Sequence, residues 1–136
     1  MGNIVSVTPD KEKAKSILKM VEKTLQMIRT IDAAAFTSNV VKEYYEVIRE
    51  LLSILLLLDG KRTMGDQAHK LLIEHASLNF GFLDQESVML IDGLRIIRNK
   101  VAYDGFFVKA EYLQRNKKAI EELIALLHKE AEDRLG

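Results

Sequence analysis

The densest concentration of chemically competent side chains lies between residues 92 and 105: Asp92-Gly93-Leu94-Arg95-Ile96-Ile97-Arg98-Asn99-Lys100-Val101-Ala102-Tyr103-Asp104-Gly105. At about 100° per residue on a helix, Arg95, Arg98 and Asn99 fall within about a third of the circumference. Two guanidiniums and an amide on one face suit a phosphate group, because each guanidinium presents a planar fork of donors. Lys100 adds a further cation beside them. Asp92 stands one turn before Arg95 and can pair with it. Taken alone, these residues fit a solvated stripe of surface ion pairs better than a phosphate site, since most surface charge runs are solvated.

Other chemistries find less support. There is no Cys, which excludes disulfide frameworks, thiolate metal sites and a thiol nucleophile. His69 and His75 lack the i, i+4 spacing of a metal-binding helix, and Glu74-His75 is not part of a His-Glu-x-x-His pattern. No metal and no cofactor are expected. The glycines at 60, 65, 81, 93 and 105 are dispersed single stops rather than a phosphate loop, and no Gly-x-Ser-x-Gly elbow occurs. His128 reads as a surface residue of the last helix. Tyr44 and Tyr45 read as core and boundary residues, and Phe106-Phe107-Val108 as an apolar latch that packs before that helix.

The stretch Leu-Arg-Ile-Ile-Arg-Asn-Lys-Val-Ala-Tyr-Asp-Gly at 94–105 resembles the signature of the HEPN family (higher eukaryotes and prokaryotes nucleotide-binding). The likeness extends from about residue 12 to about residue 130. It takes in the Tyr44-Tyr45 … Leu58-Asp59-Gly60 helix end, the His69 helix and the final Tyr112-Leu113 … Ile120 helix. The resemblance implies a small all-α bundle, a homodimer, and a cleft between subunits where RNA or nucleotide phosphate is held. In active members an Arg and a His from two subunits cleave RNA without metal, the ribose 2′-OH attacking the adjacent phosphate. Arg98 matches the motif Arg and Asn99 its polar neighbour, whereas Tyr103 stands where the motif has His. A phenol with a reference pKa near ~10 is a poor general base at pH 7. The resemblance therefore implies phosphate binding by Arg95, Arg98, Asn99 and Lys100, with catalysis through Arg98 and Tyr103 impaired. It further implies a minimal nucleotidyltransferase partner of the toxin–antitoxin kind. An active metal-independent endoribonuclease and a structural or adaptor subunit without ligand are the alternatives.

The elements that must carry these residues follow from composition and periodicity. The chain has 136 residues, 48% of them hydrophobic and 29% charged, which fits one globular domain over residues 1–136. Lys+Arg and Asp+Glu are 20 each, so no basic coat for non-specific duplex binding exists, although a local basic cleft is compatible. A single Pro and 7 Gly leave few breaks in long helices. No run approaches the ~18–20 apolar residues of a membrane span, and the first residues lack a signal-peptide pattern, so a cytoplasmic protein is expected.

Residues 1–8 form an extended or disordered segment with no second strand to pair with. Thr8 caps a helix with Pro9 in its first position, running to about residue 31. Thr37, Ser38 or Asn39 caps a second helix that ends near Leu58, before Asp59-Gly60. The latter half of that helix is apolar nearly all round, so it is either central in the bundle or shared with another subunit. Residues 61–65 are a loop, Asp66 caps a third helix over about 67–76, and Asp84 caps a fourth over about 85–101. A fifth runs over about 110–135. The sum is an all-α, up-and-down bundle of four to five helices, about three-quarters helical, dimerising through helices two and four.

Overall fold

The computed structural model describes residues 2–136; Met1, part of the N-terminal segment considered above, lies outside the described residues. The order is β1 (Asn3–Ser6), α1 (Lys11–Thr30), α2 (Thr37–Leu58), β2 (Lys61–Met64), α3 (Ala68–Asn79), α4 (Gln85–Asp104) and α5 (Ala110–Leu135). The chain is 74% helical, close to the expected share, but it also contains a small sheet.

That sheet corrects two expectations. β1 and β2 pair antiparallel, with Asn3 opposite Met64 and Ser6 opposite Lys61, so the segment read as a loop supplies the missing second strand. The alternation was hidden because Lys61-Arg62-Thr63-Met64 has no apolar face of its own. The ribbon is four residues long on each side and draws its support from α2 and α3 beneath it. The pairing continues past Ser6, where the Val7 N–H donates to the Gly60 carbonyl at 2.8 Å. Gly60 has φ +73°, and a Cβ there would stand 3.1 Å from the Val7 carbonyl oxygen, so the turn out of α2 requires glycine.

Holding residues 7–9 beside Gly60 also moves the start of α1. Thr8 precedes proline and is pushed toward extended backbone. Asp10, not Thr8, is the N-cap, and its side chain accepts from the Lys13 N–H at 3.0 Å. Pro9 lies outside the helix.

α2 is the axis of the molecule. It packs on α1, α3, α4 and α5, and Val40, Val41, Val47, Ile48, Leu51, Leu52, Ile54 and Leu55 are all within 1% of complete burial. Of the two alternatives for this helix, the structure realises the central one. Its start is Phe36, with no side-chain cap. Thr37 instead donates back to the Ala33 carbonyl at 2.8 Å, because residues 32–35 turn tightly around Asp32. Ser38 accepts from the Val108 N–H at 2.7 Å and so ties α2 to the α4–α5 connection.

In α3 the expected cap Asp66 is displaced by Gln67, which takes a left-handed conformation without a side-chain hydrogen bond. Asp84 caps α4 as expected, accepting from the Ser87 N–H at 2.7 Å. α4 runs three residues beyond the expected end. Gly105, with φ +64°, closes it by donating its N–H to the Lys100 carbonyl. Tyr103 and Asp104 therefore lie on its last turn. α5 has the expected boundaries, and its stripe of Leu113, Ile120, Leu123, Ile124, Leu127 and Ala131 is buried.

Candidate functional site

Helices with a 3.6-residue period bring residues three and four apart onto one face. On α2 this face carries Tyr45, Glu46, Arg49 and Glu50; on α4 it carries Asp92, Arg95, Arg98 and Asn99. The two helices pack together, so the polar faces meet. Arg49 donates to one Glu46 oxygen from Nε at 3.0 Å and Nη2 at 2.8 Å. Arg98 approaches the other, with Nε 3.2 Å from Oε1. Those two atoms are an ion pair by distance but are not aligned for a hydrogen bond. Both are buried, and neither has a hydrogen-bond partner among the described residues. Arg95 Nε donates to Asp92 Oδ1 at 2.8 Å, the pairing expected from their spacing. Arg98 Nη1 donates to Asn99 Oδ1 at 3.3 Å.

The face is thus not a row of free cations. Arg49, Arg95 and Arg98 share it with Glu46, Glu50 and Asp92, so its formal charges balance. The Arg95 and Arg98 side chains are only 17% and 18% exposed, so these guanidiniums are held in place rather than loose in solvent. Tyr45, on the same face of α2, is buried. Burial, against the opposing pull of Arg49, pushes its pKa up to about 12, so it is a neutral donor throughout the physiological range. Burial also raises the Glu50 pKa from its ordinary value, Arg49 working against it.

The sequence reading missed three members of this cluster: Glu46, Arg49 and His69. The signal for the first two was present, since charges inside an otherwise buried helix need partners. His69 carried no such signal, because it enters from α3. Its ring centroid lies 6.1 Å from that of Tyr45, at 50° between planes. Burial comes first in lowering its pKa below 6.5, then Arg49, with Glu46 opposing and Arg98 and Arg95 adding. The imidazole is consequently neutral at pH 7. It is a proton acceptor within the electrostatic reach of Arg98, although twenty-nine positions away in sequence.

Past Arg98 the surface changes character. Tyr103 is 76% exposed, and Arg98 Cζ lies 6.0 Å from its ring centroid. Lys100 Nζ lies 5.8 Å from the ring of Phe106. Phe107 is 84% exposed. The expected latch therefore fails for both phenylalanines: only Val108 is buried, because its N–H is fixed by Ser38 and the two rings before it are turned to solvent. The end of α4 is a patch of three open aromatic rings interleaved with two cations.

Two further features lie elsewhere. Across α1 and α5, His128 Nε2 stands 2.8 Å from Glu22 and Nδ1 3.2 Å from Glu132, a trio with ligand atoms close enough to share a metal ion. Both ring nitrogens face carboxylates, so His128 is an inter-helix link rather than a free surface residue. On the outside of α3 and α4, Ile73, Leu78, Val88, Met89 and Ile96 line an open apolar groove of about 660 Å³. Among the described residues, no helix is long and apolar enough to cross a membrane.

Comparison with protein families, with characterised proteins and with solved structures finds no match to this chain.

Proposed function

We propose that this chain is a HEPN-like protein that binds single-stranded RNA or nucleotide phosphate at the end of α4, as a homodimer and with impaired catalysis. The observation that carries this reading is the pair of cation–aromatic contacts, Arg98 with Tyr103 and Lys100 with Phe106, beside an open Phe107. Unstacked bases rest on aromatic faces while neighbouring cations meet the phosphates, and each stacked base contributes about 1–3 kcal/mol. Asn99 holds the Arg98 side of the patch, and Arg95 stands on the same helix one turn before it. The groove on α3 and α4 supplies an apolar surface through which a second copy brings its own α4 alongside. A minimal nucleotidyltransferase is the proposed protein partner, and co-purification from the native host tests it.

A titration of a short labelled single-stranded RNA tests the binding. Wild type binds with an affinity that falls steeply as salt rises. The Tyr103→Ser/Phe107→Ser double variant, altered only at exposed rings, loses at least tenfold. Equal affinity in wild type and variant contradicts the reading.

The position of His69 favours active, metal-independent endoribonuclease as the second reading. A neutral imidazole near Arg98 accepts the ribose 2′-OH proton as that oxygen attacks phosphorus, the bond from phosphorus to the 5′-oxygen breaks, and the imidazolium so formed returns the proton to that leaving oxygen. RNA cleavage that survives a chelator and disappears in His69→Gln supports this second reading. Absence of cleavage under every condition removes it.

A further inference from the structure

A second cavity shares Arg49 and His69 with the cluster described above but is lined by no residue of α4. It encloses about 270 Å³ between α1, α2, β2 and the start of α3. Its lining contains four cationic residues, Lys13, Arg49, Lys61 and Arg62, and no carboxylate. In a chain with equal numbers of acidic and basic residues, that segregation sets the cavity apart from the balanced Glu46 cluster next to it. Among the described residues, Lys13, Lys61 and Arg62 form no ion pair. Arg49 also lines the cavity but is paired with Glu46 and Glu50, so the charge left for a ligand is that of the other three.

The remaining lining has the composition of a ligand site. Ser53, Thr63 and His69 add hydroxyl and imidazole groups, while Leu56 and Leu72 form a buried apolar floor. Ser53 also finds its explanation here: it is the one polar residue in the Leu51–Leu58 run, and it opens on this cavity. The pairing of β1 with β2 builds the wall, since Lys61, Arg62 and Thr63 reach the cavity only because the ribbon lies over α2 and α3.

We propose that this cavity binds a phosphate dianion, either as the terminal phosphate of a nucleoside monophosphate or as inorganic phosphate. Few sites of such size hold more than a small ligand. Three cations that lack an ion-pair partner select for charge, and the apolar floor accepts the edge of an attached sugar or base. The site stands independently of RNA binding at the end of α4, and either can fail while the other holds.

Calorimetric titration with inorganic phosphate, adenosine 5′-monophosphate and uncharged adenosine tests it. A phosphate-bearing ligand binds, adenosine does not, and affinity falls with salt. Tighter binding of the monophosphate than of phosphate identifies the nucleotide as ligand; equal binding identifies the bare phosphate group. The Lys13→Gln/Lys61→Gln/Arg62→Gln triple variant, altered at exposed side chains, weakens binding at least tenfold. A charge-matched Lys19→Gln/Lys117→Gln/Lys118→Gln control, at exposed positions outside the cavity lining, does not. In wild type, the bound ligand shifts the amide resonances of Ser53, Thr63 and His69, a readout that needs no variant. No binding of either anion, equal losses in the two triple variants, or shifts confined to residues 95–107 overturns the proposal.

Discussion

At the scale of single residues, the account turns on how Arg98 is held. A guanidinium on a solvent-facing helix would cost entropy to order around a ligand. Here Glu46 and Asn99 fix two of its edges, and a mostly buried carboxylate shared by two arginines resists separation of any one member. The sequence makes Arg98 visible through its motif, yet its partner is invisible there, since residue 46 meets residue 98 only through the packing of α2 on α4. The same holds for His69. Its folded pKa is lowered, so the native state binds fewer protons than the unfolded chain below pH 6.5. Its contribution is fully present above pH 6.5 and is lost as pH falls through the depressed folded value. His75, lowered chiefly by its own burial, acts in the same direction. Urea unfolding at pH 7 and at successively lower pH therefore shows wild type losing stability below pH 6.5. A His69→Gln variant shows a shallower loss, and identical slopes contradict the assignment.

At the scale of elements, legibility followed periodicity. α5 was readable to its ends because its apolar residues recur every three and four positions, and the start of α4 because Asp84 caps it. β2 was not, because its residues are polar and its partner lies more than fifty positions away; nothing local distinguishes such a strand from a loop. The latch at Phe106-Phe107 was misread for a related reason. Apolarity predicts burial only where a core is in reach, and the rings follow a helix that has already turned at Gly105. The ribbon rests on Gly60. Gly60→Ala forces a left-handed alanine against the Val7 carbonyl and lowers stability by about 1–2 kcal/mol, read by urea unfolding. An unchanged midpoint means that the β1–β2 pairing does not depend on this turn.

At the scale of the whole molecule, α2 takes up the interior so fully that it leaves little surface for a second copy. The expected dimerisation through helices two and four then narrows to α4 and its neighbour α3, where Leu78 and Met89 are 85% and 66% exposed. Met89→Lys/Ile96→Lys places charges on both ends of that groove. Light scattering at micromolar concentration is expected to show wild type as a dimer and this variant as a monomer, with helix content unchanged. A monomeric wild type removes the composite cleft from the account. It leaves the patch at the end of α4 as a site within one chain.

We propose that nucleic acid meets this protein where α4 ends. The amide footprint of a short single-stranded RNA on the wild-type protein tests it most directly. The account predicts shifts concentrated at Arg98, Lys100, Tyr103, Phe106 and Phe107. A footprint on the α1–α5 face around His128, or none at low salt, contradicts it.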